Sequence, residues 1–252
     1  MAKKFYYDSV DILNATITEG DHNPSDGAFT ASSTDITNEH AIADQSLSLA
    51  VTSMGDEETL RIDFGSTVTV TDILSYNNST TQEEDNLAWY YNSAGTNVGT
   101  LFGSNEQFPP GWDLVSASSQ TARYWYARSV HADYAGLAEV IMGVPLEFEN
   151  EPDIGIATQE IFATDLNTSY GGVEYANKKH NPKTTWQLNF SNISQTFKNN
   201  LVSFEQDVTN FKKFVYYDDS SYHYVRLDSP IKFTEVAFQR FSASLKLREQ
   251  LS

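Results

Sequence analysis

The stretch Leu60-Arg61-Ile62-Asp63-Phe64-Gly65-Ser66-Thr67-Val68-Thr69-Val70-Thr71-Asp72-Ile73-Leu74 sets the character of the chain. From Leu60 to Phe64 apolar and polar residues alternate, the period of a strand with one buried face. Gly65-Ser66 punctuates the run, and the β-branched residues from Val68 to Leu74 suit a second strand. The same texture returns at Ala122–Val130 and Leu137–Met142. Short strands separated by polar turns predict a β-sandwich for the first half of the chain.

The second half has a different rhythm. Glu160–Asp165, Gly172–Asn177 and Thr184–Phe190 read as three strands. The period then changes: Phe197, Leu201, Phe204 and Val208 mark one apolar face of a helix over 194–209, with Ser194 as N-cap. Strands resume at Lys213–Tyr217, Tyr222–Leu227 and Val236–Leu247, with Asp218-Asp219-Ser220-Ser221 as a hairpin turn. The last of these is apolar on one parity and mainly polar on the other. The expected fold is mainly β, a sandwich followed by a sandwich or barrel with one packed helix.

Charge divides the chain in the same place. Residues 1–153 hold 24 acidic and 5 basic residues, and residues 154–252 hold 10 and 11. The acidic run Glu147–Asp153, interrupted by Pro152, marks the boundary, so the domains are expected at 1–150 and 151–252. Nucleic-acid binding by the acidic half is disfavoured, because phosphate contacts need cations. No cysteine is present, which fits a reducing compartment. The N-terminus has no apolar core of a signal peptide. No apolar run reaches the ~18 residues of a membrane span.

Residues 8–143 resemble a discoidin-type, galactose-binding-like domain. The resemblance rests on Ile12–Thr18, Leu60-Arg61-Ile62-Asp63-Phe64-Gly65, Arg123–Arg128 and Leu137–Gly143. It implies a jelly-roll sandwich; the paired cysteines of secreted discoidin domains are missing. The second half is similar to phage distal-tail and tail-tube proteins at Gly171–Glu174, Lys183–Phe190, the 194–209 helix, Tyr224–Leu227 and Phe241–Glu249. That similarity implies a virion structural protein at the tail tip or baseplate, assembled in the host cytoplasm. Its implied partners are copies of itself in a ring, for example a hexamer, and neighbouring tail proteins.

Catalytic motifs are missing from the sequence. The five histidines, His22, His40, His131, His180 and His223, form no metal-binding helical pair. No serine elbow or phosphate loop occurs. The acid pairs Glu57-Glu58, Glu83-Glu84-Asp85 and Asp218-Asp219 lie in polar segments, where carboxylates point into water rather than across a cleft. Enzyme function is therefore not expected. Two binding chemistries are. Trp89, Tyr91 and Trp112 are candidate stacking platforms for a host-surface carbohydrate, Trp112 being placed on a loop by Pro109-Pro110-Gly111. Asp21, Asn23, Asp26 and Asp35 offer hard oxygen ligands for a structural Ca²⁺. Trp125 and Trp186, inside strands, belong to cores.

Overall fold

The computed structural model describes residues 3–32, 36, 38–51, 58–79, 87–105, 109–129, 136–153, 157–161, 164–170, 174–178, 181–209 and 211–250. Its elements in chain order are β1 (Lys4–Tyr6), β2 (Thr16–His22), β3 (Phe29–Ala31), β4 (Glu58–Asn77), β5 (Leu87–Asn92), β6 (Thr100–Asn105), β7 (Gly111–Ser129), β8 (Leu137–Gly143), β9 (Leu146–Glu147), β10 (Ala157–Ile161), β11 (Thr164–Thr168), β12 (Glu174–Lys178), β13 (Lys183–Ser194), α1 (Gln195–Val208), β14 (Phe214–Tyr217), β15 (Tyr222–Leu227), β16 (Lys232–Ala237) and β17 (Arg240–Glu249). The chain forms two compact units, Tyr6–Pro145 and a second built from residues 1–5 with 146–251.

In the first unit the antiparallel order is β3-β2-β4-β7-β5-β6, with β8 also on β4. The two strands expected at Leu60–Phe64 and Val68–Leu74 are one strand, β4. Gly65 does not end it but sits in an irregularity, where the β4–β7 register shifts between Asp63 and Val68. Its φ of 72° is a left-handed value that glycine adopts without strain. Asp63 accepts the Gly65 N–H at 2.8 Å, holding the kink. Such irregularities bend a ribbon. The first part of β4 pairs with β2 and the end of β7, the second with β8 and the start of β7. Both parts contribute to one core that includes Leu60, Ile62, Ile73, Trp89, Val115, Trp125 and Val140. The segment expected as a strand from Ile12 starts instead as a 3-10 turn, Ile12–Asn14, before β2.

The second unit has the order β10-β13-β17-β15-β14-β1-β9, with β16 also on β17, and a separate β11–β12 ribbon. The helix is where the apolar spacing places it. Phe197, Leu201, Phe204 and Val208 are all buried, and the Ser194 hydroxyl accepts the Phe197 N–H at 3.1 Å. The strand read as Val236–Leu247 is a hairpin: the chain reverses near Gln239, whose φ is 56°. Parity persists beyond the turn, with Phe241, Ala243, Leu245 and Leu247 buried and Arg240, Ser242, Ser244, Lys246 and Arg248 on the other face. Glu160–Asp165 is split between β10 and β11. Residues 171–173 of the tail-like pattern lie outside the described residues.

The division expected after residue 150 moves to Pro145–Leu146, and residues 1–5 belong with the C-terminal unit. The reason is packing. Phe5 is fully buried, its ring 4.8 Å from Phe148, 4.9 Å from Phe204, 5.2 Å from Phe214 and 5.7 Å from Tyr216. Phe5 pairs with Leu146 and Lys4 with Glu147, the latter reinforced by an ion pair at 3.6 Å. With this division the charge is concentrated further: Tyr6–Pro145 holds 20 acidic and 3 basic residues, the remainder 14 and 13.

Candidate functional site

The aromatic platforms separate into core and surface. Trp89 is fully buried, so it is core and not a platform. Its indole Nε1 donates to Asn105 Oδ1 at 3.3 Å, and Asn105 Nδ2 donates to Asp113 Oδ2 at 2.7 Å, a polar chain that satisfies the ring inside the sandwich. Tyr91 is half-buried and packs on the core with its ring 5.5 Å from Trp125. Trp112 stands on β7 rather than on a loop. It is half-buried, lies opposite Tyr76 of β4, and holds its ring 5.0 Å from that tyrosine. Trp125 and Trp186 are buried as expected.

The oxygen ligands proposed for calcium are largely taken up by the β2–β3 turn. Asn23 Oδ1 accepts the Ser25 N–H and hydroxyl at 3.0 and 2.7 Å, and Asp26 Oδ1 accepts the Ala28 N–H at 3.0 Å. Asp21 is exposed on β2. Asp35 lies outside the described residues, as do His131, His180, Glu57 and Glu83–Asp85. Among the described residues no group of three or more His, Cys, Asp or Glu side chains is arranged to hold a metal.

A concave site of about 410 Å³ lies elsewhere on the sandwich, lined by Asn38, Glu39, His40, Ala41, Asp44 and Leu49. It is built on a 3-10 turn, Glu39–Ala43, whose Ala41, Ile42 and Ala43 are buried in the core. Asn38 starts the turn at a left-handed φ of 61°, a conformation asparagine tolerates. Its carbonyl accepts the Ala41 N–H at 2.8 Å, and its Nδ2 reaches the Ala50 carbonyl at 3.4 Å, tying the two ends of the segment. Val51 then bridges to Leu137, with its N–H 2.8 Å from the Leu137 carbonyl. His40 Nε2 is 3.6 Å from Glu39 Oε1, Asp44 Oδ1 accepts the Ser46 N–H at 2.7 Å, and Leu49 is 45% exposed. Short polar side chains thus converge beside an apolar patch on a segment pinned at both ends. Such a volume and mixture are those of small-ligand sites. In the sequence His40 stands apart from the other histidines, and Asn38, Glu39 and Asp44 belong to no motif. The available signal was a polar triplet followed by the buried Ala41-Ile42-Ala43.

The strongest ionic contacts are structural. Arg123 grips Asp63 with Nε and Nη2 at 2.7 and 2.9 Å, and that hydrogen bond holds the Asp63 carboxyl below its ordinary range. The Arg61 guanidinium lies 4.8 Å from the Phe29 ring centre and 5.8 Å from that of Tyr124. Burial pushes the neighbouring Tyr126 hydroxyl up to about 12. In the C-terminal unit, Asp218 does fold the β14–β15 turn. Burial opposes its ionisation, but hydrogen bonds from His223, Ser220 and Ser221 outweigh burial and hold its carboxyl below the usual range. Its carboxylate is engaged in the turn and does not face a second acid.

Among the described residues, no helix is long and apolar enough to cross a membrane. No family model matches the chain, and no curated protein matches it. Among solved structures, the chain is similar to chitosan-binding module 1 of a chitosanase/glucanase from Paenibacillus sp. IK-5, at 16% identity and a TM-score of 0.39, over 53% of this chain and 97% of that one. It is similar to CpGH89CBM32-5 from Clostridium perfringens, solved with GalNAc-β-1,3-galactose, at 11% identity and a TM-score of 0.39, over 54% and 99%. A third is the lectin domain of lectinolysin complexed with Lewis B antigen, at 14% identity and a TM-score of 0.36, over 52% and 94%.

Proposed function

We propose that this chain is a non-catalytic binding protein whose N-terminal sandwich holds a carbohydrate in the cleft over residues 38–49. The observation that carries the reading is the cleft itself. About 410 Å³ is bounded by Asn38, Glu39, His40 and Asp44, with the exposed Leu49 supplying apolar surface. Sugar hydroxyls donate to carboxylates and accept from amide and imidazole N–H groups, while the C–H face of a pyranose ring needs apolar contact. Two carboxylates at the rim disfavour anionic ligands and leave neutral or amino-bearing sugars. A pinned backbone binds without first ordering a loop. Glycan-array screening followed by calorimetry tests this. Glu39→Gln with Asp44→Asn is expected to weaken binding about tenfold or more, since each charged hydrogen bond contributes roughly 1.5–3 kcal/mol. Loss of binding in Trp112→Ala alone would move the site to the Tyr76–Trp112 surface. No binding to any glycan would remove the reading.

A second reading, a ring-forming structural subunit of a particle such as a phage tail, is favoured by a separate observation. Among the described strands, β10 pairs only with β13, β16 only with β17 and β9 only with β1, so the C-terminal sheet has open borders at β10 and β16 besides its β9 end. β16 is exposed along nearly its whole length, and Val236 and Phe238 beside the turn are 56% and 86% exposed. Exposed strand borders seek further strands, and unlike borders that join head to tail close into rings when the rotation permits.

A further inference from the structure

We propose that the outer face of the C-terminal sheet docks the acidic N-terminal sandwich of a second copy of this chain, with a carboxylate seated between Lys232 and Lys246. The proposal rests on the ring-forming reading and names the surfaces that would meet. Strand parity creates the cationic face. On β17, Ser244, Lys246 and Arg248 point away from the apolar side. The register places Arg226 of β15 opposite Arg248, and Lys232 of β16 opposite Ser244. Four cations therefore gather across three strands. Asp228 lies among them, 3.1 Å from Lys246 Nζ and 2.9 Å from Arg248 Nε. Asp228 serves Lys246 and Arg248, whereas Lys232 is exposed with no ion pair among the described residues.

The face also has a seat. A pocket of about 130 Å³ is lined by Gln187, Ser229, Pro230, Lys232, Ser244 and Lys246. Its floor is ordered in advance: Gln187 Nε2 donates to Ser244 Oγ at 2.5 Å, and Ser244 Oγ donates to Asn189 Oδ1 at 2.8 Å. A pocket this small admits a side-chain carboxylate. Two ammonium groups and the Ser229 hydroxyl supply donors for it.

Charge complementarity identifies the occupant. The sandwich carries 20 acidic and 3 basic residues, the rest of the chain 14 and 13. Nearly the whole net charge of −18 is therefore on one unit, and the other presents a cationic face. Opposed surfaces of unlike sign set partner orientation and suppress like-on-like contact. Contact between different patches of two copies is heterologous and propagates around a ring. A nucleic acid is disfavoured as occupant, because the chain as a whole carries a net charge of −18 that repels phosphates.

Sedimentation velocity of the full-length chain tests the proposal. At low salt the wild type is expected to form an oligomer that dissociates in about 1 M salt, where screening shortens to roughly 3 Å. Lys232→Glu, at an exposed position, is expected to weaken assembly about tenfold, and Lys232→Glu with Lys246→Glu further. Lys198→Glu, on α1 over Phe233 and Phe241 of the opposite sheet face, is expected to leave it unchanged. Matching thermal unfolding curves for wild type and Lys232→Glu exclude misfolding as the cause. An oligomer indifferent to salt and to both reversals overturns the proposal and leaves the ring-forming reading standing on its strand borders. A monomer under every condition overturns both. Retention of double-stranded DNA that Lys232→Glu abolishes, without protein assembly, overturns it in favour of a nucleic-acid face.

Discussion

Replacing Phe5 by alanine lowers the stability of the C-terminal unit by about 3–5 kcal/mol, the range for removing a buried phenylalanine. The residue is distant in sequence from everything it supports. Its ring has no exposed surface and is in contact range of Phe148, Phe204, Phe214 and Tyr216. Truncation leaves a cavity among aromatic rings, three of which are themselves fully buried. Rings that interlock edge to face cannot collapse into the gap without losing their own contacts. The loss falls on α1 as well, because Phe204 is stacked on Phe5 at an interplanar angle of 20°. Hydrogen exchange resolved by segment is the measurement. Protection is expected to fall across α1, β13 and β14 while β4 and β7 of the sandwich keep theirs. Undiminished protection in α1 would show that the N-terminal strand is an accessory.

Trp89→Ala gives the complementary result, a loss of about 3–5 kcal/mol confined to the sandwich. Trp89 lies on β5 between β6 and β7, opposite Gly103 and Ala127, and is fully buried. The substitution removes a large core side chain and leaves Asn105, itself 2% exposed, without the indole N–H that its Oδ1 accepts. An orphaned buried acceptor adds about 1–3 kcal/mol to a cavity term. Hydrogen exchange resolved by segment under mild denaturant is expected to show protection lost across β4, β5 and β7 of the sandwich and retained in α1, β13 and β14 of the C-terminal unit. Trp112→Ala, at a half-buried position, is expected to cost far less. If Trp89→Ala left the sandwich protection in place, the core assignment would fail.

The parts of the fold legible in sequence were those governed by local periodicity. The helix could be read from four residues because its apolar face recurs at the helical period and its cap is a serine. The face parity of β17 was legible for the same reason. Continuity was not legible where a bulge carries a strand through a glycine, as at Gly65, since Gly-Ser between strands also marks turns. The reverse error occurred at Gln239, where a left-handed non-glycine residue reverses the chain with none of the usual turn residues. Membership of β1 was beyond local reading altogether, because Phe5 meets its partners only through long-range packing. At the candidate site, alternation predicted that some aromatics would be core but not which ones: Trp89 and Trp112 both precede polar or aromatic neighbours, and only the three-dimensional pairing separates them. The cleft residues Asn38, Glu39 and Asp44 carry no motif. They converge because Ala41–Ala43 anchor a turn beneath them.

The split composition of the C-terminal unit sets an order of events during synthesis. β1 leaves the ribosome early, yet β14 and α1, against which Phe5 packs, are made only after the entire intervening sandwich. Until then the nascent strand has an unmatched phenylalanine. The sandwich resolves the difficulty by its own geometry: Tyr6 and Pro145 line one crevice at its ends, and Val144 N–H is held by Ser9 Oγ at 3.0 Å. Once it folds, the span between Phe5 and Leu146 is short-circuited, and the entropy of closing so long a loop has already been met. The inserted module therefore serves as a folding staple for the strand that precedes it, and mutations that slow its maturation are expected to delay the appearance of native C-terminal structure in pulse-labelled chains.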